Sequence, residues 1–216
     1  MGGFEWVVLS TVGEPAERIH AKCDRLFVDL LVIGVSEKKT LGQKLLGTTV
    51  ERVLRQALQP VLIVRTAKSG PYQKIALTTD FSEPSRLALE CARGFFPSAD
   101  TTLVHAFDAT LHGILPSDKV TGPLAEKHER EMAACARDSL ETFAAAQGPA
   151  TGSLKTHCMS GSPQEVLEDL IRGEGIDLTV VGTHGRTGFR RVVLGSVAEQ
   201  LIGTLPCDVL AVPMPR

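Results

Sequence analysis

Slid against itself by 148 residues, the sequence superimposes Gly13-x-Pro15 on Gly161-x-Pro163, Asp29-Leu30 on Asp177-Leu178, Gly34 on Gly182 and Gly47-Thr48 on Gly195-Ser196, without a gap. The same shift carries Glu51 onto Glu199 and Val61-Leu62-x-Val64 onto Val209-Leu210-x-Val212. Such an internal duplication uses one supersecondary unit twice, so a fold that suits the second copy must also suit the first. The first copy is incomplete. It enters at Phe4-Glu-Trp-Val-Val-Leu9, the counterpart of the third strand of the later copy. A breaker-rich connection, Ala67-Lys-Ser-Gly-Pro71, sets a boundary near residues 66–72. The expected division is a partial, degenerate repeat over 1–70 and a complete repeat over 71–216.

In the complete copy, apolar runs over 75–79, 102–106, 154–159, 178–181 and 209–212 read as five buried strands. Helical patterns over 84–93 and 124–146, and from about 163 and 196, alternate with them. The loop over 109–123, rich in Gly, Pro, Ser and Asp, is a candidate partner surface. Alternating strands and helices imply an α/β fold with a parallel sheet covered on both faces.

The segment GTHGRTGFRRVVLGS joins two anion-binding devices. Gly182 and Gly185 follow an apolar strand, where a backbone without Cβ can turn sharply and bring its N–H groups near a phosphate. Gly195 and Ser196 open a helix whose first N–H groups lack intrahelical partners and whose dipole favours negative charge. The pair reads as a phosphate cradle. Ser196-x-x-Glu199 equally matches a capping box, in which the serine requires no ligand. Upstream, Lys74-Ile-Ala-Leu-Thr-Thr-Asp80 is a strand ending in a carboxylate, followed by Ser82 as helix cap and Pro84 in the first turn.

With these two motifs, residues 74–213 resemble the nucleotide-binding branch of the universal stress protein family. The resemblance implies a doubly wound five-stranded parallel sheet of order 3-2-1-4-5, adenine nucleotide α-hydrolase-like, here preceded by a partial βαβαβ repeat. That order brings the ends of the first and fourth strands together at the topological switch point, so Asp80 and Gly182 converge on one crevice. By the same resemblance Thr79, Asp80 and Ala106 frame an adenosine. Gly182, Thr183, Gly185, Arg186, Gly195, Ser196 and Val197 line ribose and phosphates. The implied ligand is ATP with Mg2+, and the implied role is a cytoplasmic, nucleotide-dependent stress sensor or regulator. Homodimers or tandem pseudo-dimers are implied along the last strand, 209–213, and along 61–65.

The half-copy departs from this pattern. Glu37 stands at the position of Gly185 and Ser36 at that of His184, and Asp80 has no counterpart, so one nucleotide site per chain is expected. Gly47-Thr48 and a Thr48-x-x-Glu51 capping box remain. A half-copy with third, fourth and fifth strands lacks the two strands that normally separate third from fourth, a gap of about 14 Å at ~4.8 Å per strand. Either it closes into a three-stranded unit, or its open edges pair with another strand, or the sequence is a truncated form of a longer one.

Other chemistries have weaker support. His184 is the one candidate general base beside the glycines, and Arg186, Arg190 and Arg191 could face a triphosphate. There is no Gly-x4-Gly-Lys-Ser/Thr loop and no carboxylate pair beside the motif, so no catalytic residue is assigned. A slow ATPase or phosphotransferase and a nucleotide-free interaction module remain the rival readings. His105 and the His157-Cys158 pair lack partners at zinc-like spacing and read as packed or surface histidines. The 23 Lys and Arg against 25 Asp and Glu give no basic surplus for nucleic acid. No segment reaches the ~20 apolar residues of a membrane span, and the N-terminus does not read as a signal peptide. Five scattered cysteines suit reduced thiols better than a disulfide framework.

Overall fold

The computed structural model describes residues 5–35, 47–65, 70–108, 123–148, 152–183 and 194–214. Its elements are α1 (Pro15–Leu26), β1 (Leu31–Gly34), α2 (Thr48–Gln56), β2 (Val61–Val64), β3 (Lys74–Thr78), α3 (Glu83–Phe95) and β4 (Asp100–Phe107). Then follow α4 (Pro123–Ala145), β5 (Leu154–Ser160), α5 (Pro163–Glu174), β6 (Leu178–Gly182), α6 (Ser196–Thr204) and β7 (Asp208–Val212). The strands form one seven-stranded sheet of order β1-β2-β7-β6-β3-β4-β5. Within the complete copy this is the expected 3-2-1-4-5, all parallel.

The two copies meet where β2 runs antiparallel to β7, with Val61 opposite Ala211, Leu62 opposite Leu210 and Ile63 opposite Val209. Under the 148-residue shift Leu62 and Leu210 are equivalent, and so are Val61 and Val209. The register is therefore symmetric about the Leu62–Leu210 pair, and a local twofold axis relates the repeats. The outer edge of β7 is taken by β2 of the same chain.

Alternation along each strand divides the core between two faces. Val61, Ile63, Ala76, Val209 and Ala211 pack with Val50 and Leu54 of α2, Leu167 of α5 and Leu201 of α6. Leu62, Ile75, Leu77, Leu178 and Leu210 pack on the other face with Leu89 of α3 and Leu140 of α4. The half-copy has no counterparts of α3 and α4, so that second face is uncovered over β1, and Val32 stands exposed.

The expected opening strand of the half-copy is absent. Residues 5–12 form neither strand nor helix, and the segment contributes αβαβ instead of βαβαβ. The reason is the missing neighbour: in the complete copy the equivalent strand, β5, is held entirely by β4, and the half-copy has no β4. The three-stranded closure does not form either, and among the described residues β1 pairs only with β2.

Asp208, fully buried at the start of β7, ties the inter-repeat connection down. It accepts the Arg65 backbone N–H at 2.7 Å and the Tyr72 hydroxyl at 2.6 Å. Burial, and then this carboxylate, push the Tyr72 hydroxyl well above its usual pKa. Arg55 of α2 bridges Glu51 and, at 3.0 Å, Glu199 of α6, adding an ion pair across the same junction. Among the described residues no helix is long and apolar enough to cross a membrane.

Candidate functional site

β3 and β6 are neighbours in the sheet, with Ile75 beside Leu178 and Leu77 beside Val180. Asp80, two residues beyond β3, and Gly182, the last residue of β6, thus follow adjacent strands, although they lie about a hundred positions apart in sequence. Gly182 is packed so closely against the start of α3 that a Cβ there would lie 3.1 Å from the Pro84 carbonyl oxygen and 3.3 Å from its carbon. Its lack of a side chain has a packing cause: the β6 terminus and the first turn of α3 share the same space.

The loop from β3 to α3 is held by its own polar groups. The Asp80 carboxylate accepts the Ser82 backbone N–H at 3.1 Å, the Ser82 hydroxyl in a short bond, and the Ser85 hydroxyl at 3.3 Å. Ser82 is the N-cap residue of α3, as expected, yet its side chain makes no capping bond and serves Asp80 instead. The Asp80 carboxylate is consequently half-buried and fixed in place just beyond the end of β3. Thr79 is buried, and its hydroxyl meets Ser85 at 3.0 Å and accepts the Phe81 N–H at 2.9 Å. Its side chain is occupied internally, so it braces the loop.

Phe81 has φ 65°, the left-handed region that a bulky residue enters only under constraint. The constraint is visible: its ring packs at 4.3 Å centroid separation on His105 and at 6.0 Å on Phe143. His105 Nδ1 donates to the Thr79 carbonyl at 2.8 Å, which assigns the proton to Nδ1. This aromatic wall beside Asp80 is the part of the site that sequence reasoning missed. A left-handed phenylalanine has no signature in one sequence. Ala106 lies one residue further along β4, half-buried beside Met159. His157 is on β5, three strands away from β6.

On the other side of the crevice, Thr183 is buried and its N–H donates to the Val212 carbonyl at 2.9 Å, while its own carbonyl accepts the Gly195 N–H at 2.9 Å. This bond seats the start of α6 beside the end of β6. Gly195 is the N-cap residue, with φ −59° and ψ 143°, and no side chain caps the helix. The expected Ser196–Glu199 capping box does not form. Ser196 is already the first helical residue, so its hydroxyl is misplaced for capping, and Glu199 turns to Arg55 instead. The Thr48–Glu51 box fails in the same way at Gly47, whose φ and ψ are identical. Where a true box occurs, at Ser162 and Glu165 of α5, the serine is the N-cap itself.

Among the described residues, a Cβ on Gly195 would lie near only the Thr183 carbonyl oxygen, at 3.4 Å. Ser196 and Val197 are exposed at the same helix end. Gly185, Arg186, His184, Arg190 and Arg191 lie outside the described residues, as do Ser36, Glu37 and the loop over 109–122. All five cysteines are free thiols: Cys23 and Cys207 are buried, Cys91 and Cys158 half-buried and Cys135 exposed.

The sequence and fold were compared with known proteins. The family model for the universal stress protein family matches residues 2–65 and 71–213. Universal stress protein MJ0577 of Methanocaldococcus jannaschii is 26% identical over 153 residues, 65% of this chain and 94% of that protein. Universal stress protein E of Escherichia coli K12 is 44% identical over 57 residues, but these are only 18% of its length. Among solved structures, a functionally unknown protein, PA1789 of Pseudomonas aeruginosa PAO1, superimposes with a TM-score of 0.67 at 21% identity, over 94% of this chain and 69% of that one. The MJ0577 structure superimposes with a TM-score of 0.56 at 25% identity, over 68% of this chain and 99% of that one. Match to the family model over nearly the whole length establishes that this chain belongs to the universal stress protein family.

Proposed function

We propose that the chain is an ATP-binding universal stress protein of tandem form, a nucleotide-dependent stress sensor or regulator acting in the cytoplasm. Residues 71–216 form the complete nucleotide domain and residues 1–70 a degenerate partial repeat, giving one nucleotide site per chain. The observation that supports this most is the junction of Asp80, Gly182 and the open start of α6 at one switch point. The two ends of the crevice differ in chemistry. At one end the fixed Asp80 carboxylate can accept protons from ribose hydroxyls or an adenine amino group, beside Thr79 and Ala106. At the other, α6 begins without a side-chain cap, and its first N–H groups and about half a positive charge of dipole suit a phosphate oxygen.

Gly182, Thr183, Gly185, Gly195, Ser196 and Val197 would line this end, with the Ser196 hydroxyl free of capping duty and Arg186 offering a guanidinium. Magnesium would arrive with the triphosphate, held mainly by its oxygens and water. The free thiols are in keeping with a reducing compartment.

Calorimetric titration with ATP and magnesium tests the reading, with Gly195→Val as control because its side chain would enter the cradle and little else. Saturation near one ATP per chain, lost in the variant, is the expected result. Absence of binding by the folded wild-type protein would overturn it in favour of a nucleotide-free interaction module. Magnesium-dependent ADP release that falls on changing His184 or Arg186 would instead identify a slow ATPase.

A further inference from the structure

The repeats meet at a local twofold axis, and one side chain breaks the symmetry of that junction. Glu51 and Glu199 are equivalent under the 148-residue shift and hold the same place in the first turns of α2 and α6. Their backbone N–H groups donate to the carbonyls of the N-cap glycines, Gly47 and Gly195, at 3.1 and 2.8 Å. Arg55 has no such equivalent, because its counterpart is Gly203. One guanidinium therefore serves both carboxylates. Its Nη2 donates to Glu51 Oε1 at 2.9 Å and to Glu199 Oε1 at 3.0 Å, and its Nε donates to Glu51 Oε1 at 3.1 Å.

Where the Glu199 carboxylate points matters to α6. Helical side chains lean toward the helix N-terminus, and positions three apart share a face, so Glu199 stands over Ser196. Deprived of a cation, Glu199 would be repelled by Glu51 and drawn by the helix dipole back toward the Ser196 hydroxyl. A carboxylate there would oppose the phosphate that the same helix end suits. Among the described residues, Arg55 is the cation that pairs with Glu199.

We propose that Arg55, contributed by the degenerate repeat, is a positioning residue of the nucleotide site. It draws Glu199 away from the start of α6 and offsets its charge, so that the phosphate end of the crevice keeps its affinity for anions. This rests on the nucleotide reading above, and it gives the half-copy a part in the site of the complete one. The side chains of Arg55, Glu51 and Glu199 are 31, 40 and 48% exposed, so the coupling runs through partly screened charge and depends on salt.

Calorimetric titration of the full chain with ATP and magnesium, at about 50 and about 500 mM salt, tests this. Arg55→Met keeps the apolar stem and removes the charge. Relative to wild type at the same salt, it should weaken binding roughly 3- to 10-fold at the lower salt and less than about twofold at the higher. Arg55→Lys should fall between the two, and Glu199→Gln should bind at least as tightly as wild type. In the Glu199→Gln background, Arg55→Met should cost less than about twofold, because no carboxylate remains to be drawn away. Circular dichroism and the melting transition should stay close to wild type, since the pair is exposed. If folded wild-type protein binds no ATP, the nucleotide reading fails and the positioning role with it. Suppose instead that wild type binds, and Arg55→Met binds equally well, or loses as much with Glu199→Gln as without it, or loses as much at high salt. The nucleotide reading then stands and the positioning role is overturned.

Discussion

Gly182 and Gly195 belong to one motif, yet their surroundings predict opposite responses to the same added methyl group. In Gly182→Ala the new Cβ meets the Pro84 oxygen at 3.1 Å, its carbonyl carbon at 3.3 Å and its Cβ at 3.4 Å. All belong to the first turn of α3, which cannot swing aside like a flexible side chain. Relief requires β6 and α3 to separate by a few tenths of an ångström along a packed seam, and overpacking of this kind costs about 1–3 kcal/mol. For a chain of this size, with ~2–4 °C per kcal/mol, the melting temperature should fall by roughly 2–12 °C. In Gly195→Ala the nearest atom is an oxygen at 3.4 Å, an ordinary contact, and φ −59° suits any residue. Alanine at an N-cap is worse than glycine by roughly 0.5–1.5 kcal/mol. It also restricts the unfolded chain by about 0.4–1 kcal/mol, so the two nearly cancel. Thermal unfolding by circular dichroism, without nucleotide, separates the two. Gly182→Ala melting within a degree of wild type, or Gly195→Ala falling as far as Gly182→Ala, would refute the contrast between a tightly packed glycine and a loosely packed one.

Other outcomes follow from features outside the crevice. Phe27 ends α1 at φ 51° with its side chain 88% exposed, whereas its repeat equivalent is Gly175 at φ 69°. Phe27→Gly should relieve about 1–2 kcal/mol of left-handed strain. It should lose about 0.4–1 kcal/mol to unfolded-state entropy, a small net gain that chemical denaturation can measure. Tyr72 is the only tyrosine, so tyrosinate absorbance isolates it. Its folded pKa is raised, so its contribution to stability is complete below pH ~10 and is lost as pH rises beyond that. No tyrosinate signal should appear near pH 10 until the chain unfolds, and Asp208→Ala should lower the titration part of the way. That same substitution removes the acceptor of the Arg65 N–H and Tyr72 hydroxyl hydrogen bonds and should cost about 0.5–3 kcal/mol for each bond lost, readable in urea melts. With a thiol reagent on native protein Cys135 should react first. Cys91, raised to about 11 by burial, and Cys23 and Cys207, raised by the same cause, should wait for unfolding.

The strands themselves were legible because their signals are local and repeated, as apolar runs, glycines at strand ends and a duplication that needed no gap, whereas their order in the sheet came from the resemblance to the family. Asp80 and Gly182 could be paired through the strand order that the resemblance implies. What escaped was set by tertiary neighbours. Ser196 and Thr48 spell a capping box, but the chain enters each helix one residue earlier, and Arg55 offers Glu51 and Glu199 a better partner than a backbone N–H. Trp6–Leu9 reads as a strand by composition and is none, because strand formation requires a neighbour that no local pattern encodes. Phe81 takes a glycine-like conformation since His105 and Phe143 hold its ring. The reason for Gly182 was also only half legible: backbone freedom was readable, whereas proximity to Pro84 required coordinates.

The symmetric Leu62–Leu210 seam changes how the complete repeat experiences dilution. Its last strand is partnered by a segment tethered through fewer than ten residues, so the effective local concentration of that partner is on the order of millimolar or higher. Pairing there is unimolecular and does not vary with expression level. Any influence of that pairing on the neighbouring ends of β3 and β6 would therefore be constant at every protein concentration.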